Sequence, residues 1–553
     1  MSTFSWAVFA TLLFISPSIS AQNTAADPTL DAKNWMHSDF STTKIHGVGT
    51  DAAILFLKSK NVKPTTITVA VLDSGVEPDH EDLKANMWVN PAEIKGNNID
   101  DDKNGYIDDV NGWNFIGGKN GNVNYDTYEM LRIVKQYRPM FEGENAAKNK
   151  RKMKKEFALY EKAKAEYTTK KEEAKSGLQM VQMQKDMILE QFTALKGLIG
   201  TKKLTQENVD AIVPKDEKET SMKQGLQQLI KSNIPDLDNK NIDDIIVLIN
   251  QQLKEGEDHY KVEVDYQLNE DYDARSVVGD DYSNKTEKYY GNNDVEGPDA
   301  MHGTHVAGII AAVRNNGKGM NGIAGDVAKI MSVRVVPNGD ERDKDIANAI
   351  RYAVDNGARV INMSFGKGYS PEANLVWKAM KYAQKKNVLL VHGAGNDNVN
   401  VDTENRYPSK FKDGADKPFI KNCITVGANT DDNTELKADF SNYGVKKVDL
   451  FAPGTAIYST VIDNKYKNLD GTSMASPAVA GCAAFLWAYF PHLKVVQVKE
   501  ILMASVDKVS SKVTIGKNDK GEMVTSTFTD LSVAGGTIDL LSAVKLAYEK
   551  YSK

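Results

Sequence analysis

Cysteine is almost absent: Cys423 and Cys482 are the only two in 553 residues. Two thiols cannot build a disulfide framework. Each sits in an apolar run, which fits two buried thiols, and one bridge between them in an oxidising compartment is the alternative. Long apolar runs are also missing. Beyond the first 21 residues no stretch approaches the ~18 apolar residues of a membrane span. Nor is there an excess of basic charge. Lys and Arg number 69 against 75 Asp and Glu, a net charge of −6, so the chain as a whole makes no case for nucleic acid binding. Proline is absent from 140–213, between Pro139 and Pro214. No internal repeat is present. The 41% hydrophobic and 26% charged composition is that of a globular protein, and the length suits several domains or one large domain with an insertion.

The first 21 residues read as a signal peptide. Trp6 to Ile15 form a short apolar core, followed by Pro17 and small residues, with cleavage after Ser20 or Ala21. No Lys or Arg precedes that core, a departure that leaves a retained leader or anchor as the alternative. The expected location is exported, periplasmic or extracellular. Residues 22–60 read as an N-terminal lead-in.

From there strand-like and helix-like segments alternate. Ile67–Leu72 is β-branched and closes on Asp73-Ser74-Gly75, the pattern of a buried strand. Strands are expected at 330–336, 360–365, 388–392 and 423–428, with helices at 343–355, 373–386, 474–489 and 494–505. This alternation implies an α/β fold, a doubly wound, mainly parallel sheet with helices on both faces. Sites in such sheets gather at the carboxyl ends of the strands. Residues 119–272 have another texture. They are rich in Lys, Glu, Ala, Gln and Met, which favour helix, and read as a helical insertion. Gly177 is expected to mark a turn between two long helices, with shorter helices near 217–232 and 241–254. Segment 148–175 carries 11 Lys and Arg against 5 Glu. A solvated face is the plain reading, and an arm for an acidic partner the other. Seven of the 18 methionines fall between 130 and 222, as core filler or as an adaptable groove. Residues 511–553 read as a hairpin and a helix capping the main domain.

Four short segments carry chemistry. In Gly471-Thr-Ser473-Met-Ala-Ser-Pro477 a serine opens an apolar helix. Its hydroxyl is exposed by the turn, and the helix start offers N–H groups to a developing anion. A capped helix start alone would look the same. Serine needs a base, and His302-Gly-Thr-His305-Val-Ala-Gly308 offers two histidines at another helix start. No acidic or cysteine residue stands at ligand spacing from them, so no metal is expected there. A carboxylate must fix the imidazole tautomer, and Asp73 ends a strand. Acyl transfer also needs a donor for the oxyanion, which Asn396, after Gly393-Ala-Gly395, can supply together with the Ser473 N–H.

In the order Asp, His, Ser these four segments resemble the subtilisin-like serine protease family (subtilases). The resemblance spans about 61–118 and 275–510. It implies that Ser473 attacks, His302 is the base, Asp73 orients it and Asn396 stabilises the oxyanion. It also implies that Ser364-Phe365-Gly366 pairs with the substrate backbone as an added strand. The implied domains are a catalytic domain in two parts, 61–118 and 273–510, split by the insertion. The implied function is that of a secreted serine endopeptidase working through an acyl-enzyme on protein or peptide substrates, with no cofactor needed for the chemistry. A catalytically silent scaffold whose helical arm binds a partner is the rival. The sequence departs from the family in four places. The long Asp73–His302 gap is one, and the ~50 residues before Asp73 (too few for a full prodomain) are another. Ala478 stands where many members have His, and Lys367-Gly368 is expected to reshape the entrance of the specificity pocket. Asp100-Asp-Asp102-Lys-Asn104-Gly105-Tyr-Ile-Asp108-Asp109 matches the first positions of a calcium loop but has Asn111 at the twelfth. Structural calcium and a plain acidic turn are the two readings.

Overall fold

The computed structural model describes residues 33–232, 237–517 and 520–551, so the signal-peptide reading lies outside the described residues. The chain divides into two compact units. Among the described residues, one holds 33–133 and those from Asp273 onward, and the other is Val134–Tyr272.

The first unit is built on a nine-stranded sheet: β1 (Ile67–Asp73), β2 (Gly112–Asn114), β3 (Ala328–Arg334), β4 (Val360–Met363), β5 (Leu389–Gly393), β6 (Cys423–Asn429), β7 (Leu450–Pro453), β8 (Asp507–Lys508) and β9 (Gly536–Thr537). Their order is β8-β9-β7-β6-β5-β4-β1-β3-β2. All neighbours run parallel except β8 with β9. The central strands are buried along nearly their whole length, as strands covered on both faces are. Because they are parallel, their carboxyl ends line up. In the β1–β3 register Asp73 lies beside Arg334, and in the β4–β5 register Met363 lies beside His392.

Thr472–Tyr489, a helix rich in alanine and apolar all round, packs on β1, β4, β5, β6 and β7. A helix of that kind belongs in a core. Met301–Ala311 packs on it and on β1, while Asp343–Asp355 and Ala373–Lys385 pack on each other. Cys423 and Cys482 are both free and buried, which answers the pairing question. Burial raises the Cys423 thiol to about 11.

The second unit is helical. Lys154–Ile199 is one unbroken helix of 46 residues, which corrects the turn expected at Gly177. Gly177 is there for space. A Cβ on it would lie 2.4 Å from the Tyr260 ring of the helix Ile242–Val262. Ile188, Phe192, Leu195 and Ile199 close a core with Leu226, Ile245 and Leu253. Met180 and Met183 are exposed rather than core filler. No helix among the described residues is long and apolar enough to cross a membrane.

Candidate active site

Asp73, Ser364 and Asn396 come from the carboxyl ends of β1, β4 and β5, while His302 and Ser473 open helices aimed at them. Asp73 is 1% exposed. Its Oδ1 accepts from the Ser74 N–H at 2.8 Å and faces His302 Nδ1 at 2.6 Å. The His302 side chain is about a third exposed, at 36%. Burial works against its charged form, but the charge and hydrogen bond of Asp73 outweigh burial and hold its pKa above the ordinary histidine value. His305 does the opposite. It is buried, its Nε2 meets the Lys467 carbonyl at 3.0 Å, and burial lowers it to about 4. Of the two histidines only His302 is both carboxylate-paired and partly open.

Pro477 shapes the nucleophile's setting. It stands in the second turn of its helix and has no N–H to offer the carbonyl four residues back, that of Ser473. The Ser364 hydroxyl donates to this freed carbonyl at 2.8 Å. Asn362 Nδ2 donates to Ser364 Oγ at 2.9 Å, and the Ser476 hydroxyl donates to Asn362 Oδ1 at 2.7 Å. The helix start is thereby tied to the end of β4. The Ser364 side chain supports the nucleophile helix, leaving the backbone of 364–366 to face the cleft. The Ser473 hydroxyl donates to the Ser364 carbonyl at 3.1 Å.

Asn396 turns its Oδ1 toward the Thr472 N–H and hydroxyl, at 2.9 and 2.8 Å. That fixes its amide with Nδ2 on the other side. A Cβ built on Gly471 would lie 3.4 Å from Ser473 N, 3.5 Å from Asn396 Nδ2 and 3.6 Å from Ser473 Cβ. The two N–H donors therefore flank one space beside the nucleophile, and Gly471, at φ 152°, keeps it empty.

A cleft of about 300 Å³ opens beside Asp73 and His302. It is lined by Asp73 and His302, by Val336–Gly339 and Glu341 on one side, and by Ser364–Gly366 on the other. The sequence reading stopped at Val336 and missed the wall beyond it. Pro337-Asn338-Gly339, a turn after a strand's carboxyl end, was the available signal. Lys367 is turned inward. Its ammonium lies 2.7 Å from Glu129, 2.9 Å from Asp343 and 2.7 Å from the Glu341 carbonyl, all buried. Burial opposes the charge of Lys367, but Asp343 and Glu129 outweigh it and raise the group.

In the acidic loop, carboxylate oxygens of Glu93, Asp100 and Asp102 lie within 4.8 Å of one another. Asp108 instead accepts from the N–H groups of Gly96 and Asn98, at 2.8 Å each. Glu93 was not among the ligands expected from sequence, and it also accepts from the Asp101 and Asp102 N–H groups.

Comparison with known proteins places the chain in a family. The family model described as "Subtilase family" matches residues 65–528. The "Thermophilic serine proteinase" of Bacillus sp. (strain AK1) is 37% identical over 256 residues, 46% of this chain and 57% of that protein. "Thermitase" of Thermoactinomyces vulgaris is 44% identical over 186 residues, 34% of this chain and 60% of its own length. "Subtilisin DY" of Bacillus licheniformis is 34% identical over 219 residues, 39% of this chain and 74% of its own. The matched region thus spans between about half and three quarters of these relatives. With the family model covering most of its length, this chain belongs to the subtilase family.

Proposed function

We propose that this chain is an exported serine endopeptidase with Asp73, His302 and Ser473 as its triad and Asn396 in the oxyanion hole. One observation carries the reading. The 2.6 Å Asp73–His302 pair stands by a helix-opening serine whose own N–H and the Asn396 amide flank one empty space. Ser473 Oγ attacks the peptide carbonyl carbon. His302 Nε2 takes the hydroxyl proton, and Asp73 steadies the imidazolium. The carbonyl oxygen becomes an anion between the two donors. His302 returns the proton to the departing amine, leaving an acyl-enzyme. Water then attacks, with His302 again as base, and frees the acid and Ser473. Backbone groups of 364–366 hold the substrate strand. Ser473→Ala tests the assignment. Casein cleavage and labelling by a fluorophosphonate should both disappear, and a mutant that still labels overturns it. A wild type that neither cleaves nor labels would favour the silent scaffold.

The chemistry calls for no cofactor. Three converging carboxylates suit a hard cation, and structural calcium at Glu93, Asp100 and Asp102 is the corresponding reading. A melting temperature that rises with calcium in the wild type but not in Asp100→Asn tests it. We assign the domains as read from the sequence: a catalytic domain in two parts, 61–118 and 273–510, the helical insertion 119–272 between them, and the cap 511–553.

A further inference from the structure

The cleft wall beside His302 carries a carboxyl group without a counter-ion. Glu341 lines the cleft and is 3% exposed. Among the described residues its carboxylate forms no ion pair and no hydrogen bond with another residue. The cations nearby are spent elsewhere. Lys367 is held by Glu129 and Asp343 and reaches only the main-chain carbonyl of Glu341. Arg132 binds Glu129 at 2.6 Å and also takes the Glu341 carbonyl, at 3.3 Å. Arg342 forms a two-pronged pair with Asp126, at 2.6 and 2.8 Å. Within the cleft itself Arg334 donates to the carbonyls of Ser74 and Val123 and to Asn114 Oδ1. Asp299, exposed, adds a second carboxylate to the same lining. Each cation of the wall therefore has its hydrogen-bond partners, those of Arg334 being neutral; Asp299 accepts from the Met301 N–H at 3.4 Å, and the Glu341 carboxylate is left without a partner from another residue.

A carboxyl group in that position is costly unless something completes it. Burial pushes Glu341 up to about 8, with Lys367 pulling it down too weakly and Asp340 and Asp343 adding to the rise. A cationic side chain entering the cleft would supply the missing charge, and the cost of leaving it unpaired would then work against other side chains. We propose that Glu341, assisted by Asp299, is a specificity-determining residue that selects a lysine or arginine side chain of the substrate in the cleft beside the triad. The inference rests on the peptidase reading and narrows its substrate class to peptides with a basic residue near the scissile bond.

A peptide library with each position around the scissile bond varied gives the test, read as the ratio of kcat/KM for a basic residue to that for leucine. Because a ratio is read, a uniform loss of activity cancels. In the wild type one position should favour Lys or Arg by about tenfold or more. In Glu341→Gln that ratio should fall most of the way to one, and in Glu341→Lys the same position should turn toward Asp or Glu. If the variants fail to fold, the wild type alone decides, by whether any position favours Lys or Arg over leucine. Wild-type cleavage with no basic preference, or a preference that survives Glu341→Gln, overturns this inference and leaves the peptidase reading standing. A wild type that cleaves no peptide and takes no fluorophosphonate overturns both.

Discussion

The two units differ in the ion pairs they bury. The sheet-bearing unit has exposed pairs, such as Lys84 with Asp79, but it also holds fully buried ones. The side chains of Lys367 and Glu129 are 2% and 7% exposed, those of Lys344 and Asp280 1% and 0%. The helical unit leaves its pairs in water, as with Lys196 and Asp243 at 41% and 50%. The basic excess of 148–175 belongs to the second pattern: most of its lysines are exposed, and Lys164 meets Glu142 at the surface. A buried pair fixes the positions of the loops that carry it, because losing one partner strands the other. A surface pair fixes little. The unit holding the candidate triad has the expensive kind, and one of them, Lys367 with Glu129, also holds the main chain of the cleft-lining Glu341.

The largest expected effect tests whether chemistry depends on such a pair. Asp73→Asn should lower kcat by about 10⁴, because an amide donating to His302 Nδ1 forces the imidazole proton onto Nε2, which then cannot accept from Ser473. The pH profile gives an independent reading. His302 must be neutral to act as base, and Asp73 raises its pKa, so the acid limb of kcat/KM should lie above the ordinary histidine value of 6.5. For stability the sign is opposite. The ion pair contributes fully below the unfolded value and is lost as pH rises through the raised folded one. With Asp73→Asn burial remains, opposed only by the weaker pull of Asp299, and the limb should move down. A limb that stays in place would separate the chemistry from this pair.

Next comes a paired substitution across the two units. Lys367→Met leaves Glu129 and Asp343 buried without their ammonium and should cost about 3–5 kcal/mol in urea unfolding. Lys196→Met removes a half-exposed partner and should cost less than about 1 kcal/mol. Equal costs would erase the contrast. Asn396→Ala should lower kcat by about 10²–10³, the range measured for a subtilisin oxyanion donor, and should also cost about 1–3 kcal/mol of stability, because the buried Thr472 N–H and hydroxyl lose their acceptor.

Much of the sheet-bearing unit was legible because its signals are local. β-branched runs place strands within about two residues, and Asp343–Asp355 was read with the boundaries it has. The candidate site was legible because each member ends a strand or opens a helix. What escaped depends on distant partners. The Ser364 hydroxyl serves a carbonyl 109 residues away, freed by Pro477. The Lys367 ammonium finds Glu129, 238 residues away, so a residue expected at a pocket entrance is a buried anchor. No local pattern announces either.

Gly177 shows the same limit in the helical unit and gives the smallest effect. Glycine inside a helix ordinarily costs about 1 kcal/mol relative to alanine, so Gly177→Ala in an isolated helix would stabilise. Here the new methyl group would meet Tyr260 Cε1 at 2.4 Å and Cζ at 2.5 Å. The ring must swing aside, and the expected result is no gain, or a loss of up to about 1 kcal/mol. In a Tyr260→Ala background the obstacle is gone, and the same substitution should stabilise by about 1 kcal/mol. The difference between the two backgrounds is the coupling of the helices at this crossing. A Gly177→Ala protein that gains stability with Tyr260 in place would mean that helix propensity, not close approach, governs this position.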